Sequence, residues 1–233
     1  MRKSILYALS KPLVRVYAGL FLQMDIHRHD LRLPEGPKLF VANHPSASDP
    51  FLIHLLSRQQ MGVFVTGNAF KVPLLGDYLR HIRQIAVLPG QGSEALEQAR
   101  RLIESGHSVG IFPEGDFSPQ AGGFREPRSG AARLALSTGV PVIPVGIYLS
   151  RERIVRLEST VTGRVTVGYW YFGGPYGMTV GKPMQFEGRQ EDRECVNAVS
   201  SAMMHSIKSL AYESEQRLRG DLPPASAPAE AMS

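Results

Sequence analysis

The sequence predicts an α/β domain with a central, largely parallel mixed sheet flanked by helices. Three observations carry that expectation. Between residues 39 and 180 short apolar runs alternate with stretches of helical periodicity, the pattern of successive strand–helix units. The turn cluster Leu33-Pro34-Glu35-Gly36-Pro37 marks where the alternation begins. At 233 residues, 43% hydrophobic and 20% charged, the chain is long enough and apolar enough to bury a sizeable core.

Taken in order, residues 1–33 form a segment of their own, 34–219 the main domain, and 220–233 a Pro/Ala/Ser-rich tail too poor in apolar residues to order. In the first segment Ile5–Leu9 and Leu13–Leu22 read as two helical pieces. Ser10 would cap the second, leaving Pro12 in its first turn. Leu13, Val16, Tyr17, Leu20 and Met24 then share one helical face. The longest uncharged run, Val16–Met24, is far short of the ~20 residues that cross a bilayer. In the main domain strands are expected at Leu39–Ala42, Val63–Thr66, Gln84–Leu88, Ser108–Phe112, Val142–Tyr148, Arg164–Val167 and Met178–Val180. Helices are expected at Pro50–Gln60, Ser93–Ser105, Ser129–Ser137 and Asp192–Arg219, with Ser93 as an N-cap and Gly106 as a stop.

Charge is distributed unevenly. Arg2, Lys3, Lys11, Arg15, Arg28 and Arg32 against Asp25 and Asp30 place +4 of the net +5 in the first 33 residues. These cations are interleaved with Leu, Val, Tyr and Phe, and no nucleic-acid motif accompanies them. The combination favours an amphipathic, monotopic anchor on an anionic membrane surface over a nucleic-acid interface. The alternative for this segment is a helix pair packed on the domain. A single cysteine, Cys195, excludes an internal disulfide framework and suits a reducing compartment.

Two stretches carry chemistry. His44 and Asp49, five positions apart, sit between an expected strand end and an expected helix start, where ligand sites of α/β sheets form. An imidazole becomes a useful general base when a carboxylate holds one ring nitrogen and the other faces substrate. Asp49 followed by Pro50 also reads as an ordinary N-cap, and the two readings stand side by side here. Glu114 and Gly115 follow the expected strand Ser108–Phe112, ahead of a loop with Gly122, Gly123, Arg125 and Arg128 that suits a polar or phosphorylated ligand.

The block Asn43-His44-Pro45-Ser46-Ala47-Ser48-Asp49-Pro50 resembles the NHxSxxD motif of the glycerolipid acyltransferases that include 1-acylglycerol-3-phosphate acyltransferase. Phe112-Pro113-Glu114-Gly115 resembles their FPEG block, Arg128–Ala135 the helix start that follows it, Val140–Val145 their VPVIPV-like block, and Gly181-Lys182-Pro183 a late GxP turn. The resemblance runs from about residue 33 to 185. It implies transfer of a fatty acyl chain from acyl-CoA or acyl-carrier protein to a lysophospholipid hydroxyl, with His44 as general base and Asp49 as its orienting partner. It also implies peripheral attachment to the cytoplasmic face of the cell membrane, and neither metal nor cofactor.

One departure stands out. Pro89 occupies the place of an arginine that the family associates with acceptor phosphate, whereas Lys71 matches the upstream lysine of that block. The resemblance therefore implies Lys71 as phosphate ligand with Arg80, Arg83, Arg125 or Arg128 substituting, and Asn43, Glu114 and Gly115 about the substrates. It leaves open another lipid acceptor, such as a glycolipid or an ornithine-type lipid, and a non-catalytic lipid-binding protein of the same fold. His27 and His29 read as surface residues of the N-terminal linker, since two histidines alone do not complete a metal site.

Overall fold

The computed structural model describes residues 5–160, 163 and 165–222. Arg2, Lys3, Arg164 and most of the expected tail lie outside the described residues. Seven strands form one sheet in the order β1 (Leu22–Arg28), β9 (Gly174–Val180), β6 (Val142–Leu149), β2 (Leu39–Ala42), β5 (Ser108–Ile111), β3 (Met61–Thr66), β4 (Ile85–Val87). Every pairing is parallel except β6 with β9, so the expected mixed, largely parallel sheet is found.

Both faces of this sheet are covered, which is why its central strands read as unbroken apolar runs. Along β2 the side chains alternate. Leu39 and Val41 join a core with α4 (Gly92–Glu104), α5 (Gly130–Thr138) and α6 (Arg193–Arg219). Phe40 and Ala42 join a second core with Ala18 of α1 (Ile5–Phe21) and Leu52 of α2 (Asp49–Leu52). Helix α6 is capped by Asp192, whose side chain accepts from the Glu194 and Cys195 N–H groups. It lies directly on β6 at Gly146, where an added Cβ would stand 2.0 Å from the Ala211 backbone nitrogen.

Five expectations need correction. Residues 22–28 are not helix or linker but edge strand β1, parallel to β9, so Met24 packs against the core beside Leu22 and the first segment is joined to the sheet. Helix α1 runs unbroken through Pro12, and Ser10 bonds back to the Tyr7 carbonyl (3.3 Å) rather than capping a second helix. The helix expected at Pro50–Gln60 is one turn of α-helix and a 3-10 turn, Ile53–Leu56, before Ser57 turns extended. Helix α4 starts at Gly92, so Ser93 is not its cap. The strand expected at Arg164–Val167 is β8 (Thr166–Tyr171), which pairs antiparallel with β7 (Ile154–Ser159) in a separate ribbon. Helix α3 (Leu75–His81) had no clear sequence signal.

One face of α1 is spent on the domain through Tyr7 and Ala18, while Leu9, Leu13, Val16 and Leu20 on the other are 56–74% exposed. Among the described residues no helix is long and apolar enough to cross a membrane.

Candidate active site

Strands β2 and β5 are neighbours near the middle of the sheet, and the loops leaving their carboxyl ends meet. His44 follows β2 and Ser118 follows β5. The His44 N–H donates to Glu114 Oε1 (3.1 Å) and lies 3.2 Å from Ser118 Oγ, while the Ser118 N–H donates to the His44 carbonyl (2.8 Å). The His44 backbone is thus clamped before its side chain does anything.

The ring is clamped in turn. His44 Nδ1 lies 3.0 Å from Asp49 Oδ2, and Asp49 is fully buried. The same carboxylate accepts from Ser46 N–H (2.8 Å), Ser46 Oγ (2.6 Å) and the Tyr176 hydroxyl (2.6 Å). Burial and the adjacent Asp49 push the Tyr176 hydroxyl well above its usual range, so it keeps its proton and donates. A carboxylate surrounded by donors is an acceptor only, which puts the His44 proton on Nδ1 and leaves Nε2 able to accept one. Among the described residues no group bonds Nε2. Asp49 does not cap α2: its oxygens accept from Ser46, His44 and Tyr176, and the N-cap position is Ser48. Of the two sequence readings of Asp49, the histidine partner is the one observed.

Aromatic rings wall this site. Phe112 stacks on the His44 ring at 4.2 Å, Phe117 approaches at 4.7 Å, and Tyr169 meets Phe117 edge-on. The ribbon holds the loop from above: Ala47 N–H donates to the Tyr169 carbonyl, and Ser48 Oγ to the Tyr171 carbonyl.

The residues expected around the substrates divide into three groups. Asn43 and Glu114 face inward. Asn43 Nδ2 donates to the Ile147 carbonyl and its Oδ1 accepts from the Ile147 N–H, extending the β2–β6 ladder by one side chain. Glu114, 2% exposed, binds Ser118 Oγ (2.5 Å) and the His44 N–H with one oxygen and the Arg125 N–H (2.7 Å) with the other. Both side chains hold the protein's own backbone. Gly115, Arg125 and Arg128 belong to the same loop. Gly115 has φ +66°, and a Cβ there would stand 2.4 Å from the Arg128 side chain. Arg125 Nε donates to the Phe117 carbonyl (2.7 Å).

Lys71, Arg80 and Arg83 gather elsewhere, around an open cavity of about 530 Å³ between α3 and α4, also lined by Phe70 and by Leu88 beside Pro89. Neither His44 nor Asp49 lines it. Arg80 is held by Asp77 and the Phe70 carbonyl, and Arg83 lies 3.3 Å from His107 Nε2. The five candidate cations therefore form two clusters, not one.

Sequence reasoning missed Tyr176, Ser118, Phe117 and Tyr169. Tyr176 reaches Asp49 across 127 positions, and no local pattern announces such a contact.

Known proteins resemble this chain in sequence and in fold. The chain is 32% identical over 125 residues to a 1-acyl-sn-glycerol-3-phosphate acyltransferase of Chlamydomonas reinhardtii, covering 52% of this chain and 36% of that one. It is 33% identical over 135 residues to a probable 1-acyl-sn-glycerol-3-phosphate acyltransferase of Mycoplasma genitalium, covering 51% and 47%. The chain thus spans between about a third and a half of the length of these relatives. The crystal structure of the 1-acyl-sn-glycerophosphate acyltransferase PlsC from Thermotoga maritima superposes with a TM-score of 0.63 at 21% identity, covering 91% of this chain and 79% of that one, a likeness of fold. The model of the Acyltransferase family matches residues 23–148, which hold His44, Asp49 and the Phe112–Gly115 block, and the chain belongs to that family.

Proposed function

We propose that the protein is an O-acyltransferase that moves a fatty acyl chain from a thioester, acyl-CoA or acyl-carrier protein, to the hydroxyl of 1-acylglycerol-3-phosphate, giving phosphatidic acid. The observation that carries this reading is the His44–Asp49 pair at the carboxyl edge of the sheet, with Asp49 fully buried, His44 partly buried and its outer ring nitrogen unpartnered among the described residues. An alcohol at neutral pH is a weak nucleophile. His44 Nε2 takes its proton as the oxygen attacks the thioester carbonyl carbon. The resulting tetrahedral oxyanion collapses, the carbon–sulfur bond breaks, and the imidazolium returns the proton to the departing thiolate. Asp49 stabilises the imidazolium between those two events, and Tyr176 and Ser46 hold Asp49 in the orientation that does so. Acyl transfer so written needs neither metal nor redox cofactor.

The acceptor phosphate is assigned to the open cavity that Lys71, Arg80 and Arg83 line together. The exposed apolar stripe of α1 supports monotopic attachment, which we assign to the cytoplasmic face of the cell membrane. Lipid substrates would then be reached without leaving the bilayer surface.

The reading is tested by supplying acyl-CoA and acyl-carrier protein with a panel of lysophosphatidic acid, a lysophospholipid without a free phosphate, and lyso-ornithine lipid, and identifying the acylated product by mass. Phosphatidic acid as the main product supports the proposal. Preference for the ornithine lipid would transfer it to that acceptor, and no product with any acceptor would remove it.

A further inference from the structure

We propose that His27, His29 and Glu213 form a binding site for a divalent transition-metal ion of the zinc type, which fastens edge strand β1 to the C-terminal helix α6. His27 lies on β1 and His29 one residue beyond it, so the two imidazoles share the side of the strand that faces α6. Glu213 arrives from α6, 184 residues along the chain from His29. That is the ligand a reading of the two histidines alone lacked. Imidazole and carboxylate are the donors zinc takes, and three of them with one open position make a common zinc environment.

The donor atoms converge on one point, all lying within 4.8 Å of one another. His29 Nε2 is 2.7 Å from Glu213 Oε2, and His27 Nε2 is 3.9 Å from Glu213 Oε1. A tetrahedral ion with bonds near 2.0–2.2 Å sets its ligands about 3.3 Å apart, so side-chain rotations that close the widest separation by about 1.5 Å suffice. The His29–Glu213 hydrogen bond accounts for two of the three residues without an ion. It leaves His27 turned to the same carboxylate but too far to bond it. All three side chains are 25–39% exposed, which gives an ion a path in.

Glu213 is itself held in place. Arg217 binds Asp25 Oδ2 (2.6 Å), Glu213 Oε1 (2.8 Å) and Thr179 Oγ1 (2.6 Å), which fixes the orientation of Glu213. Such a backing group is what a metal-bound carboxylate requires. The site is separate from the dyad. His27 pairs with Thr179 on β9, whereas Tyr176, three residues earlier, points to the opposite face, toward Asp49.

The test uses the full chain without a histidine tag, stripped with chelator. Zn(II) is titrated in competition with a chromophoric chelator, and Co(II) is followed by its visible spectrum. One equivalent is expected to bind and to raise Tm. His27→Gln, which removes no hydrogen bond among the described residues, and the His27→Ala/His29→Ala double variant are each expected to weaken binding at least ~10-fold. Far-UV circular dichroism verifies that the variants are folded. Absence of stoichiometric binding by the wild type, or wild-type affinity retained in folded His27→Gln and in the folded double variant, would overturn the site.

Discussion

Two histidines ten positions apart on one segment, His44 and His54, meet opposite fates. His44 stands at the rim of the sheet with a carboxylate on Nδ1 and aromatic rings around it. His54 lies beneath α1 against the edge of Tyr7, buried, with Nδ1 lacking a hydrogen-bond partner among the described residues. Burial pushes the His54 imidazole down to about 4, so it is neutral through the physiological range and serves as a flat packing group. Burial alone therefore does not make a base. A carboxylate on one nitrogen and an outlet for the other do.

That contrast can be broken from either side. The largest effect is expected at Asp49. Asp49→Asn offers an amide where the imidazole needs an acceptor and favours the wrong tautomer, so kcat should fall ~10³–10⁴-fold with KM little changed. A loss under tenfold would mean that Asp49 only holds the loop.

His54 should speak in stability, not activity. Its folded-state value is below that of the unfolded chain, so the unfolded chain takes up the proton first as pH falls. Stability contributed by neutral His54 is intact above about 6.5 and is lost toward about 4, by on the order of 3 kcal/mol. Urea melts across that window should flatten in His54→Leu.

A smaller effect separates substrate binding from chemistry. Lys71→Ala should raise KM for a phosphate-bearing acceptor ~10-fold while leaving kcat and any neutral acceptor nearly unaffected. Unchanged KM would move the phosphate to Arg125 and Arg128. The smallest change is expected at Tyr176: losing one hydrogen bond to Asp49 of about 1 kcal/mol in Tyr176→Phe should lower kcat roughly fivefold. Steady-state kinetics on both variants separate the two outcomes.

Much of this was legible in the sequence, and the limits have physical reasons. The central strands β2, β5 and β6 announced themselves because burial on both faces leaves uninterrupted apolar runs. Helix α6 was legible at both ends through Asp192 and Gly220. Strand β1 was not, because Gln23, Asp25 and His27 alternate with apolar residues directly after a helix whose apolar spacing runs on into Met24. The short α2 reflects tertiary demand: the segment from Ser57 must turn toward β3 at once. At the site His44 and Asp49 were readable as a pair since they are close in sequence. The inward roles of Asn43 and Glu114 were not, because their partners, Ile147 and the loop backbone at His44 and Arg125, become neighbours only when β2, β5 and β6 align.

The proposed acyl transfer depends on the proton taken by His44 Nε2. The most direct measurement is thiol release from acyl-CoA in the presence of lysophosphatidic acid vesicles, comparing wild type with His44→Ala at equal, verified folding. Acceptor-dependent release is expected from the wild type, reduced at least ~10³-fold in the variant. Equal release by the two proteins would contradict it.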